Sequence, residues 1–134
     1  MNHTVKEIVT RAYNNQMLHI EYRLPTLNEY INAERSNRYA GAVMKKKAEA
    51  TIALFIKNDR LKPVTVPVTL IYNWRMKNRR CDKDNISFAQ KFIQDALVRC
   101  GILQNDGWNN IQGFSHDFEV NKQEGVSVEI LERE

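Results

Sequence analysis

Apolar and polar residues alternate from Met17 to Leu24, which predicts a strand that Pro25 ends, with Pro25-Thr26-Leu27-Asn28 as a turn. From about Ala33 to Asn58 the period changes. Ala40, Val43, Met44, Ala48, Ile52, Phe55 and Ile56 recur at helical spacing, so one long helix is expected, with Lys45 and Lys46 turned outward. The β-branched run from Val64 to Trp74 predicts a second strand, with Pro67 near its start or edge. Ile86, Ala89, Ile93, Ala96, Leu97 and Cys100 share one stripe of a second helix, which Asp84 or Asn85 can cap and Gly101 can close. Asn105-Asp106-Gly107 predicts a turn. Two more strands, about 111–121 and 126–132, read as a terminal hairpin turning at Gln123-Glu124-Gly125. The order β-α-β-α-β-β predicts an α+β fold, a mixed sheet packed by two helices in a single domain over residues 1–134. Residues 1–16 read as a flexible or partner-contacting arm.

The 134 residues suffice for one real core, and no apolar run approaches the ~20 residues of a membrane span. Met1-Asn2-His3-Thr4-Val5-Lys6 lacks the apolar centre of a secretory signal, and Cys81 and Cys100 form no metal or disulfide pattern. A cytoplasmic protein with two free thiols is expected. The net charge of +4 is unevenly spread. Arg35, Arg38, Lys45, Lys46 and Lys47 crowd the first helix, and Arg75, Lys77, Arg79, Arg80 and Lys83 surround Asp82. The tail is acidic, with Asp117, Glu119, Glu124, Glu129, Glu132 and Glu134. Such polarity predicts one face for a polyanion, although Lys-rich helices also serve solubility alone.

The candidate chemistry lies in Arg79-Arg80-Cys81-Asp82-Lys83-Asp84-Asn85. In extended backbone, side chains two residues apart point the same way, so Asp82 and Asp84 can converge. Mg²⁺ takes one or two carboxylates, keeps waters and leaves room for phosphate oxygens. The plain alternative makes Asp84 a helix cap and Asp82 a solvated loop charge. Asp106 is the natural third carboxylate if the chain turns back after the helix; Asn-Asp-Gly is also ordinary turn chemistry. Lys91 lies two turns beyond Asp84 on nearly the same face, placed to steady charge on a reacting phosphate. Its alternative is a surface pair with Asp95 at i+4. Trp74 reads as packing and Trp108 as open to a partner; His3, His19 and His116 show no ligand spacing.

Arg80-Cys81-Asp82-Lys83-Asp84-Asn85, then Lys91, Asp95-Ala96-Leu97, Gly101-Ile102-Leu103 and Asn105-Asp106 resemble the RusA family of Holliday junction resolvases, small endodeoxyribonucleases frequently encoded by phages and prophages. The resemblance is close over residues 79–106 and extends more weakly to Pro25-x-x-Asn28 and the basic helix after it. It implies that Asp82, Asp84 and Asp106 are catalytic acids binding Mg²⁺, with Mn²⁺ as substitute, and that Lys91 is the catalytic or phosphate-contacting lysine. Lys91 is placed by counting back from Asp95-Ala96-Leu97, because the first half of this helix is about one turn longer than in some members. Cys81 stands where the family often has a basic residue. The implied activity is paired, symmetric nicking of a four-way DNA junction by a homodimer, in DNA recombination and repair, with no small-molecule cofactor beyond the metal. DNA would meet Asn28, Arg35, Arg38, Lys45, Lys46, Lys47, Arg75, Lys77, Arg79, Arg80 and Lys83, and Asn85 would support the acids or cap the helix. A nuclease for other branched DNA and a non-catalytic nucleic-acid-binding module are the competing readings. All of this requires the three aspartates to gather in one pocket.

Overall fold

The computed structural model describes residues 15–133, so the expected arm lies outside the described residues apart from its last two positions, Asn15 and Gln16. The described chain runs β1 (Asn15–Ile20), α1 (Leu27–Ser36), α2 (Ala40–Asn58), β2 (Val68–Met76), α3 (Lys83–Ser87), α4 (Gln90–Arg99), β3 (Ile111–Val120) and β4 (Gly125–Glu132). The four strands form one mixed sheet in the order β1-β4-β2-β3. The α+β expectation therefore holds. The terminal hairpin does not: β3 pairs with β2 in parallel, while β4 lies between β1 and β2, antiparallel to both. Residues 121–124 step across the end of β2, tied down by Asn121 N–H donating to Met76 O (2.8 Å) and Lys77 N–H donating to Glu124 Oε2 (3.3 Å).

Period-two patterning sets the two faces of the sheet. Leu18, Ile20, Val68, Leu70, Tyr72, Trp74, Val126, Val128 and Ile130 are buried and build one core with Ile52 and Ile56 of α2 and Phe92, Ile93, Ala96 and Leu97 of α4. The hydrophobic burial of these side chains, roughly 1.5–3 kcal/mol for each large aliphatic or aromatic one, holds the helices on that face. His116 joins it as a polar member. Its Nδ1 accepts from Trp74 Nε1 (2.9 Å), its Nε2 faces Gln90 Oε1 (3.1 Å), and its ring stacks on Tyr72. Burial lowers the His116 pKa, which favours the neutral ring that this bonding needs. Gly125 (φ +155°) is required where β4 begins, because a Cβ there would collide with the Ile20 carbonyl and press on the Arg75 guanidinium.

The expected long first helix is two helices. Asn37 breaks it: its backbone is extended, and its Oδ1 accepts from Tyr39 N–H and Ala40 N–H (both 2.9 Å), which starts α2. Helix α1 begins earlier than expected. Thr26 and Glu29 form a reciprocal capping box, so Pro25-Thr26-Leu27-Asn28 is a helix start rather than a turn. Burial opposes the Glu29 charge, yet hydrogen bonds from Thr26 and the Arg23 guanidinium hold its pKa below the ordinary value. The second helix divides at Phe88-Ala89 and closes as expected at Gly101 (φ +76°), where Ile102 N–H donates to Leu97 O and Gly101 N–H to Val98 O. Cys81 and Cys100 are unbridged, and no described helix is long and apolar enough to cross a membrane.

Candidate functional site

Strand β2 delivers the chain to the loop 77–82 at its carboxyl end, and α3 starts there. Asp82 is the N-cap residue of α3 by backbone geometry (φ −68°, ψ 153°), but its side chain makes no capping bond. It is exposed and lines a cavity of about 440 Å³ with Arg79, Cys81, Lys83, Phe118 and Glu119. Asp84 is also exposed, and its Oδ1 accepts only from the adjacent Asn85 N–H (3.0 Å). Among the described residues, no ion pair engages either carboxylate.

Asn85 caps, but not its own helix. Its Oδ1 accepts from Asn28 N–H (2.9 Å), one of the free amides in the first turn of α1. The bond joins the Pro25-to-Asn28 segment to Asp82-x-Asp84-Asn85 across 57 residues. Aromatic packing reinforces it, with Tyr30 of α1 against Phe88 (5.4 Å) and Phe92 (5.8 Å).

Lys91 and Asp106 meet elsewhere. Lys91 Nζ lies 3.1 Å from Asp95 Oδ1 and 3.9 Å from Asp106 Oδ2. The surface pair with Asp95 at i+4 is therefore formed, and Asp106 approaches the same ammonium. Asp95, bonded to it, raises the Lys91 pKa above the ordinary lysine value, with Asp106 and Glu49 adding to the effect and burial working slightly against it. Asp106 is held by its own turn, where Asn105 Oδ1 accepts its N–H (2.7 Å) and Gly107 O accepts from Asn110 and Ile111. Asp95 Oδ2 also binds Lys45 (3.2 Å), Lys45 reaches the buried Glu49 (3.9 Å), and Arg99 lies 3.4 Å from Glu49 Oε1. That carboxylate oxygen accepts no hydrogen bond, so charge rather than directed bonding neutralises Glu49. The sequence signal for this network was the i, i+4 spacing of Lys45 to Glu49 and Lys91 to Asp95; what joins the pairs is the α2–α4 contact.

Among the described residues, no group of three or more His, Cys, Asp and Glu side chains is arranged to hold a metal ion. Asp82 and Asp84 suit Mg²⁺ by chemistry: two hard carboxylates, solvent-open and uncompensated by a cation. Asp106 does not join them here. It sits by Lys91 instead, outside any such group.

Most of the basic side chains expected to meet DNA lie at the surface. Arg35, Arg38, Lys46, Lys47, Lys77, Arg79, Arg80 and Lys83 are exposed, with Lys83 lying over the Phe118 ring (5.7 Å). Asn28 is exposed as well. Lys45 is half-buried between Asp95 and Glu49. Arg75 departs from the expectation. It is buried on the other face of the sheet, donating to Ser127 Oγ (2.7 Å) and Glu21 Oε1 (3.3 Å), because period-two alternation turns it away from Trp74 and neighbouring strands close over it. Trp74 packs as expected, whereas Trp108 is 98% exposed. Neither a protein-family model nor a curated protein matches this chain, so the reading of the site rests on its residues and their geometry.

Proposed function

We propose that this protein is a Mg²⁺-dependent, structure-selective endodeoxyribonuclease that resolves four-way DNA junctions as a cytoplasmic homodimer. The observation that carries the reading is the approach of Lys91 Nζ to Asp106 Oδ2 (3.9 Å), two members of the proposed catalytic set that lie 15 residues apart. The Asn28–Asn85 bond gives second support, because it joins the two segments that carry the resemblance.

Asp82 and Asp84 would hold the ion at the carboxyl end of β2. Mg²⁺ bound there supplies Lewis-acid polarisation of a phosphodiester and a water of lowered pKa. Arg79, Arg80 and Lys83 flank that point and bind the phosphates on either side. Lys91 remains an ammonium at every physiological pH, since Asp95 and Asp106 favour its charged form, and it offsets negative charge as the phosphate is attacked. The expected three-acid pocket is not formed among the described residues, so the ion would rest on Asp82 and Asp84 alone, and Asp106 would act by holding Lys91 in place rather than as a third metal ligand. Two copies related by a twofold axis present matched sites to the symmetric strands of a junction.

The test is a nicking assay on synthetic four-way, forked and linear DNA in Mg²⁺, paired with gel-shift binding in EDTA. Symmetric paired incisions on the four-way substrate are expected. Equal cutting of forks would leave a general branched-DNA nuclease. Binding without any divalent-dependent cutting would leave a non-catalytic module.

A further inference from the structure

Helices α1 and α2 meet at a corner at Asn37 and border a trough of about 620 Å³ that shares no lining residue with the cavity at Asp82. Its α2 wall runs from Tyr39 to Thr51, roughly 18 Å of helix. Tyr39 (67% exposed) stands at one end and Tyr22 (43% exposed), from the β1–α1 connection, also lines it. Val43, 62% exposed, adds apolar surface between them. A bare trough of this size, edged by large aromatic rings, is unusual on a surface that otherwise carries many charges.

The charges around it select its occupant. Glu29 is the acid in the lining, and Arg23 neutralises it at 2.9 Å. Lys47 lines the trough with no ion pair among the described residues, and the Arg38 guanidinium lies over the Tyr39 ring at 5.7 Å. The uncompensated charge in the lining is therefore positive and set beside exposed tyrosines. Rings for bases to stack on, beside cations for the phosphates between them, are the chemistry of single-strand binding. An apolar protein segment would use the rings but leave Lys47 and Arg38 without a purpose.

We infer that the α1–α2 trough is a second DNA subsite, which takes unpaired bases of a single strand. It rests on the reading of this protein as one that binds branched DNA, where strands leave the duplex at the branch. Fluorescence anisotropy with a short labelled oligo-thymidylate, and with duplex DNA of equal length, tests it in EDTA on the intact chain. Tyr39→Ala and Tyr22→Ala should each weaken single-strand binding about tenfold and duplex binding less than about twofold. Tyr39→Phe should retain affinity, and Lys47→Ala should reduce the salt dependence by about one counterion. Equal losses on single-stranded and duplex DNA, or no effect of either tyrosine, would overturn the subsite. So would a change in sedimentation of the tyrosine variants, which would mean that a second copy of the chain covers the trough. Junction nicking in Mg²⁺ by the same variants separates the two readings. Nicking with unchanged single-strand binding defeats the trough alone, whereas no nicking with selective loss of single-strand binding supports the trough and defeats the nuclease.

Discussion

Two acidic regions border the same helical stretch and differ in what faces them. Around α3, Asp82 and Asp84 are exposed and form no ion pair among the described residues. Around α4, Asp95, Asp106 and Glu49 each lie within 4 Å of a lysine or arginine. Two neighbouring carboxylates that pair with no cation repel each other, which a bound divalent cation would relieve. Neutralised carboxylates instead fix the position and charge of their partner, here Lys91. On the proposed reading the first region would receive an ion, while the second holds an ammonium in place. The Asn28–Asn85 bond and the Lys45–Asp95 pair connect both regions to the basic helices.

The largest effect that separates them belongs to the open acids. Asp82→Asn or Asp84→Asn should lower junction nicking by on the order of a hundredfold or more, while junction binding in EDTA stays equal or tightens because a negative charge leaves the DNA face. Parallel nicking and gel-shift assays check this; joint loss of cutting and binding would mean that these acids only support the fold. Next, Lys91→Ala should cost about a hundredfold in the cleavage rate without changing the Mg²⁺ concentration needed for half-activity. A shifted metal requirement would move Lys91 into the first region.

Asp95→Asn tests the second region through pH. Lys91 has a raised pKa in the folded chain, so its contribution to stability is fully present below the ordinary lysine value of 10.5 and is lost as pH rises through the raised one. Removing the Asp95 charge should move the alkaline limb of the rate profile to lower pH, with little change near neutrality. NMR titration of the Lys91 ε-methylene should show the same direction. The smallest effect is expected of Asn85→Ala, about 1 kcal/mol of stability in urea unfolding, because it frees one helix-terminal amide that water can reach. A larger loss, with nicking abolished, would mean that this bond positions the acids rather than merely joining two helices.

How far the sequence disclosed all this depends on the range of the cause. Helix and strand identities came from local periodicity, and the Gly101 closure from a residue type suited to left-handed backbone. The break at Asn37 and the start at Thr26 were also local. They lay hidden because Asn37 sits in a run of helix formers and the Thr26-x-x-Glu29 box follows a proline that suggests a turn. Strand order was beyond local reading. Four residues join β3 to β4 whether the strands pair directly or straddle β2, and the choice falls to Val126, Val128 and Ile130, buried on the helix-covered face of an interior strand. The site divides in the same way. Spacing alone exposed Asp82 and Asp84 and the i+4 pair of Lys91 with Asp95, while the same spacing of Lys45 and Glu49 in α2 went unread. The seat of Asp106 beside Lys91, and the burial of Arg75 by Glu21 and Ser127, are set by contacts between distant segments.

The most direct measurement is paramagnetic broadening of amide NMR signals by substoichiometric Mn²⁺. Signals of residues 82–85 should broaden first, with those around Lys91 and Asp95 affected later, and Asp82→Asn should abolish the effect. Broadening that begins at Asp95 and Asp106, or none that depends on Asp82, would contradict the assignment of the open acids as the ion-binding region.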